Sequence, residues 1–209
     1  MDPAFLITSF VTLFVIIDPI GLTPLFVALT QGMPAAARRA IAFRATLVAA
    51  GILLVFAIFG EALLEFAGIS MAAFKIAGGI LLLITALDML FERRTKRRED
   101  QAEEDESPDP SVFPLAIPLI AGPGSIATVI LLSNARPGAE GLGIAIGVML
   151  AVIVVTFLFF LLATPLERAL GKTGINVVTR LLGMLLAALA VQFMLDGLSD
   201  FGFGAAVPT

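Results

Sequence analysis

Apolar residues in this chain gather into six blocks, each of roughly the 20 residues that an α-helix needs to cross a hydrocarbon core of about 30 Å. The blocks run about 4–29, 43–64, 71–91, 112–133, 141–163 and 177–198. Lipid offers no partner for backbone N–H and C=O groups, so a spanning segment is a helix or part of a closed barrel. Period-two alternation is absent, which argues against a barrel. The pattern therefore predicts an all-α polytopic membrane protein with six transmembrane helices in a single transmembrane domain over 1–209.

Composition narrows the chemistry. Hydrophobic residues make up 59% and charged residues 14% of the 209, against about half and a quarter in a soluble domain. There is no cysteine and no histidine. Disulfides, thiolate sites, Ser-His and Cys-His dyads and imidazole-bound metals are thereby excluded. No organic cofactor or tightly held metal is expected, and an enzyme is not expected either. Ser125, the one serine worth testing as a nucleophile, has no nearby base. The net charge of −4 comes mostly from one acidic run, and no basic surface for nucleic acid exists. The start, Met1-Asp2-Pro3, lacks the basic region of a cleavable signal peptide. Trp and Tyr are absent, so no aromatic belt marks the interfaces.

Basic residues set the orientation. With six spans, 11 of the 13 fall on one side: Arg38, Arg39 and Arg44; Arg93, Arg94, Lys96, Arg97 and Arg98; and Arg168, Lys172 and Arg180. Only Lys75 and Arg136 fall on the other. The positive-inside rule places the first side in the cytoplasm of a cell inner (plasma) membrane, with both termini outside. The charged segment 92–111, a basic block followed by an acidic one, is then a cytoplasmic loop. It anchors topology as a solvated segment, or it meets lipid headgroups or regulators; the sequence leaves these open.

The halves 1–91 and 112–209 match each other weakly but in order. Gly68-Ile69-Ser70 parallels Gly174-Ile175-Asn176, with Ser70 and Asn176 as expected N-caps. Lys75-Ile76-Ala77-Gly78 parallels Arg180-Leu181-Leu182-Gly183, and Met89-Leu90 parallels Met194-Leu195. Three spans per half is an odd number, so the second repeat is inverted in the membrane, as in many secondary transporters.

Spans 1 and 4 each carry a Gly/Pro cluster near mid-depth. In span 1 it is Asp18-Pro19-Ile20-Gly21-Leu22-Thr23-Pro24, with Thr23 as the expected cap of a helix restarting at Pro24. In span 4 it is Pro118 to Ser125, with glycines at Gly122 and Gly124, Pro123 between them, and Ser125 as the expected cap of a helix from Ile126. The pattern predicts discontinuous helices 1 and 4, meeting at mid-membrane. Each restart aims a helix N-terminus at the shared space, suited to a carboxylate. Asp18 adds a negative charge, costly at that depth and usually functional. Together they suit a small zwitterion, or a proton or Na⁺ on Asp18; the bland alternative is that Asp18 only caps a helix. Gln192, inside span 6, lines the same cavity or bonds a neighbouring helix. Asp88, Glu61, Glu65 and Asp196 lie near span ends and read as interfacial. Thr30, Ser133 and Asn134 read as caps closing the second half-helices. Gly143, Gly147 and Ala151 form a small-residue stripe for close packing inside the protomer, with a homo-oligomer as the alternative.

At these residues the chain resembles the MarC family of bacterial and archaeal inner-membrane proteins. The likeness is carried by Phe14 to Thr30 (FVIIDPIGLTPLFVALT), Ala116 to Ile130 (AIPLIAGPGSIATVI) and the tail from Ala190 to Gly197. It implies a transporter-like fold and, in some members, transport of small neutral amino acids such as glycine and alanine. The motif positions that carry over are Asp18, Pro19, Gly21, Pro24, Gly122, Pro123, Gly124 and Ser125. The family often has a polar residue after the first motif's glycine; Leu22 stands there, which bears on substrate preference. The resulting expectation is a secondary transporter with H⁺ or Na⁺ as coupling ion. The alternatives are a non-transporting scaffold or a passive channel.

Overall fold

The computed structural model describes residues 3–91, 93, 109–136 and 138–203, and its regular elements there are all helical. They are α1 (Pro3–Ile17), α2 (Pro19–Leu29), α3 (Ala35–Phe66), α4 (Met71–Leu90), α5 (Ser111–Ile120), α6 (Pro123–Ser133), α7 (Ala139–Leu161) and α8 (Ala163–Asp200). Among the described residues, five spans are long and apolar enough to cross a membrane, and a sixth arises if the bent pair α5–α6 is one span. Most of the charged segment 92–111 lies outside the described residues.

Helix α3 shows why the bundle needs lipid. Ala42, Ala45, Ala49, Leu53, Ala57 and Gly60 form one buried stripe at three- and four-residue spacing. Phe43, Leu47, Val55, Phe59 and Phe66 stand exposed on the other side. In water each such exposed side chain would forgo roughly 1.5–3 kcal/mol of burial; against acyl chains nothing is forgone.

Helix α1 divides the interior. Leu13 and Ile17 join a core with Leu22 and Phe26 of α2, Ala45 and Leu53 of α3, Leu115 of α5 and Met149 of α7. Val15 and Ile16 join a second core with Leu82 and Ala86 of α4 and Leu186 and Ala190 of α8.

The α4–α8 pair is antiparallel and close. A Cβ at Gly79 would lie 2.7 Å from the Ala190 carbonyl oxygen and 2.5 Å from Met194 Cγ. Reciprocally, a Cβ at Gly183 would lie 3.2 Å from the Ala86 carbonyl oxygen and 2.9 Å from Met89 Cβ. Only glycine lets the two backbones approach this far. Element boundaries also recur: α2 opens at Pro19 and α3 at Ala35, while α6 opens at Pro123 and α7 at Ala139. Helices α2 and α6 both have 11 residues.

Four expectations need correction. Residues 111–120 are not a regular α-helix: Leu115 N–H bonds the Pro110 carbonyl (3.2 Å) and Ala121 N–H the Ala116 carbonyl (2.9 Å), both wide five-residue turns. Pro114 and Pro118 lack N–H groups and push Phe113 (φ −127) and Ile117 (φ −124) into extended backbone; the peptide bonds before both prolines are cis. Ser70 does cap α4, accepting from Ala73 N–H at 3.2 Å. Asn176 does not cap, because α8 starts at Ala163 and passes through a kink at Gly171 (φ 62). The glycines of the α7 stripe, Gly143 and Gly147, have open space where a Cβ would stand, so they do not serve packing inside the protomer. Asp88 is only 7% exposed, not an interfacial side chain in water.

Candidate functional site

The interruption in the first span is a single residue. Asp18 N–H bonds the Phe14 carbonyl (2.8 Å) and the Asp18 carbonyl accepts from Leu22 N–H (3.0 Å), so the ladder continues through it. Yet Asp18 is left-handed (φ 57, ψ 63), a conformation that Asp visits more readily than most residues because its short side chain bonds locally. That bond is present: Asp18 Oδ1 accepts from Gly21 N–H at 3.0 Å. Asp18 is thus the N-cap of α2, and Pro19 takes the first helical position, where a missing N–H costs nothing. Thr23 was expected in the capping role, with restart at Pro24. Instead Thr23 lies in the second turn and its hydroxyl donates to the Pro19 carbonyl (2.9 Å), while Pro24 sits inside the helix. Asp18-Pro outcompetes Thr23-Pro24 because a carboxylate at the N-terminus meets both the free donors and the dipole.

Gly21 is required by this arrangement. A Cβ there would lie 2.1 Å from Asp18 Oδ2 and 2.8 Å from its Cγ. The carboxylate is packed against the bare Cα of Gly21 and is 0% exposed.

The second span repeats the device with one difference. Gly122 is extended (φ −87, ψ 172), Pro123 takes the first helical position, and Ile126 N–H bonds the Gly122 carbonyl at 2.9 Å. No side chain caps α6. Ser125, expected as the cap of a helix from Ile126, lies inside the first turn and is 2% exposed. The helix starts earlier because Pro123 is pre-set for the first position. The two starts therefore differ: that of α2 is capped by a carboxylate, and that of α6 has no side-chain cap. At the far ends Thr30 and Asn134 occupy the caps, Thr30 Oγ1 donating to Phe26 O (2.6 Å) and Asn134 Nδ2 to Ile130 O (3.0 Å).

The two starts are close in space. A Cβ at Gly124 would meet Ile16 Cγ2 of α1 at 3.3 Å, Leu82 Cδ2 at 3.6 Å and Thr85 Oγ1 of α4 at 4.0 Å. The first turn of α6 thus packs on the last turn of α1, two residues before Asp18. One turn further along α6, Thr128 is fully buried and its hydroxyl has no hydrogen-bond partner among the described residues. Sequence reasoning did not single out Thr128 or Thr85. The available signal was the four-residue step from Gly124 to Thr128.

Gln192 is not brought to Asp18. It lines a 290 Å³ cavity among α1, α4, α6 and α8, and its Nε2 donates to Asp196 Oδ1 at 2.7 Å along its own helix. At the opposite end of the bundle Phe26 stacks on Phe160, with centroids 4.5 Å apart and 7° between planes; Arg38 lies 5.7 Å from the Phe26 ring. Among the described residues, no group of three or more carboxylates could hold a metal.

Fold and site together define a polytopic helical membrane protein with two proline-headed helix starts inside its spans. The chain belongs to the MarC family of integral membrane proteins, whose family model matches residues 4–201. It is 40% identical to a UPF0056 membrane protein of Methanocaldococcus jannaschii, covering 95% of this chain and 98% of that one. It is likewise 40% identical to the UPF0056 membrane protein YvbG of Bacillus subtilis (93% and 94%) and 35% identical to YhcE of Escherichia coli (90% and 89%). No solved structure matches.

Proposed function

We propose that this protein is a secondary transporter of small neutral amino acids, glycine- or alanine-like, working by alternating access around the starts of α2 and α6. The observation that carries the reading is their pairing. A buried carboxylate, Asp18, caps one start; the neighbouring start has no side-chain cap. A zwitterion complements both, its ammonium on Asp18 and its carboxylate on the α6 N–H groups near Gly124 and Ser125. The ordering fits transporters built from inverted repeats, whose sites use discontinuous helices. The reciprocal Gly79 and Gly183 contacts support such a repeat, as does the offset of 104 residues from Pro19 to Pro123 and from Ala35 to Ala139. In this register Gly79, rather than Gly78, is the counterpart of Gly183.

The orientation follows from the basic residues: an inner membrane, termini outside, and the Arg38 end in the cytoplasm. In that orientation Phe26 and Phe160 stack at the cytoplasmic end, and the Asp18 carboxylate is buried. Either H⁺ or Na⁺ serves as coupling ion, taking Asp18 in alternation with the substrate ammonium rather than together with it. Replacing Asp18 with Asn tests the reading. Exchange of labelled alanine across proteoliposomes should fall at least about 100-fold, the loss of roughly 3 kcal/mol from one charged hydrogen-bonded partner. The helical circular dichroism should persist. Unimpaired exchange by the folded variant would remove Asp18 from the mechanism.

A further inference from the structure

A row of polar residues crosses the apolar surface of α8 at four-residue steps: Gln192, Asp196 and Asp200. It faces Lys75 of α4, whose ammonium donates to Asp200 Oδ2 at 2.6 Å. Below that ion pair lies the 290 Å³ cavity. Its walls are Phe5, Leu131, Leu132, Leu189 and Phe193, and its polar groups are Lys75, Asp196, Gln192 and the hydroxyl residues of α1. The volume falls just under the roughly 300–1,000 Å³ of sites for drug-sized ligands, so a small hydrated solute is the right scale.

The donor set is of both signs. Lys75 carries three N–H donors and gives one to Asp200, which leaves two. Asp196 accepts from Gln192 through Oδ1, and a carboxylate takes several more hydrogen bonds. Thr12 is oriented by donating to the Thr8 carbonyl at 2.8 Å. Phe5 is held in the wall by Arg136, whose guanidinium carbon lies 4.7 Å from the ring centroid. A cation and an anion on facing helices, in a cleft with apolar walls, match one solute class: a small molecule with an ammonium and a carboxylate on neighbouring atoms. A simple anion would meet repulsion from Asp196, and a simple cation would leave the two remaining Lys75 donors unused.

The cavity also borders α6. Its α6 wall is Leu131 and Leu132, and one turn deeper on that helix comes Thr128 with its buried, unpartnered hydroxyl, then Gly124 at the helix start. From these placements we infer that the Lys75–Asp196 cavity is a second binding site for small zwitterions, an outer capture station distinct from the Asp18 site. The solute class is shared with the transport reading, but the residues are different.

The chain's lack of cysteine provides the test. A single Thr8→Cys variant places the only thiol on the exposed wall of the cavity, and Leu189→Cys places one on the opposite wall. Each is reconstituted and labelled with a membrane-impermeant methanethiosulfonate, with and without alanine. Alanine at about ten times its Kd should slow labelling about 10-fold at both positions. Propionate and ethylamine at the same concentration should leave the rate unchanged. Adding Asp196→Asn should raise the alanine needed for half-protection by about 10-fold or more; adding Asp18→Asn should not. No protection at either position, equal protection by propionate, or unaltered protection in the Asp196→Asn background overturns the outer site. Protection lost with Asp18→Asn instead would assign binding to the deeper site alone. Protection in protein that transports nothing would keep the outer site and remove the transport reading.

Discussion

Replacing Gly21 with alanine probes the helix start at the centre of the site. Taken alone, the substitution favours helix by up to about 1 kcal/mol, since glycine is the poorer helix former. The structure predicts the opposite sign. The new Cβ would lie 2.1 Å from Asp18 Oδ2 and 3.0 Å from Oδ1, so the carboxylate must swing off its cap. Losing the cap costs about 1 kcal/mol, and a buried charged acceptor stripped of its donor costs a further 1–3 kcal/mol. The net expectation is destabilisation of roughly 1–3 kcal/mol. With no Trp or Tyr for fluorescence, unfolding is best followed by circular dichroism as SDS is added to mixed micelles. The decisive comparison is a double-mutant cycle with Asp18→Ala. In that background nothing remains for the Cβ to hit, and Gly21→Ala should turn neutral or mildly stabilising. If Gly21→Ala keeps wild-type stability while Asp18 is present, the carboxylate is not packed on Gly21 and the account of this start is wrong.

Other consequences follow from the packing. Gly79→Ala, whose Cβ would lie 2.7 Å from the Ala190 carbonyl oxygen, should lose about 1–3 kcal/mol in the same unfolding assay. Gly143→Ala should lose nothing and gain up to about 1 kcal/mol, because it meets open space. Phe26→Ala removes a ring that is 1% exposed and should cost about 3–5 kcal/mol, while opening the Arg38 end to labelling from that side. Asp109, which joins the start of α5 to Arg44 of α3, has its carboxyl held below its ordinary value by hydrogen bonding from Ser111, with the Arg44 guanidinium adding to the effect. A lowered carboxyl contributes stability above the unfolded-state pKa and loses it as pH falls through the folded one. The difference between wild type and Asp109→Asn should therefore be constant near neutrality and close only in acid.

Much of the architecture was legible because lipid makes length and hydropathy decisive. The spans drawn at about 71–91 and 141–163 differ from α4 and α7 by a residue or two. Ser70, Thr30 and Asn134 cap where their types and positions indicated. The misses share a cause: competing local signals of similar strength. Both Asp18-Pro19 and Thr23-Pro24 read as helix starts, and only the charge on Asp18 and the bare Cα of Gly21 decide between them. Asn176 reads as a cap by its type and its place parallel to Ser70, yet the chain turns at Gly171 instead (φ 62). The wide turns of α5 depend on two prolines four residues apart, whose joint effect no single-residue propensity expresses. The Lys75–Asp196 cavity depends on residues of two helices lining one space, which no local pattern reveals.

The central claim is that the Asp18 and Gly124 helix starts move a small zwitterion across the membrane against its gradient. The most direct measurement is uptake of labelled glycine and alanine by proteoliposomes of the purified chain, with H⁺ or Na⁺ gradients imposed in turn. The account predicts accumulation above the external concentration under one of the two gradients, abolished when that gradient is collapsed. Uptake that never rises above equilibration, with folded protein under either gradient, would contradict it.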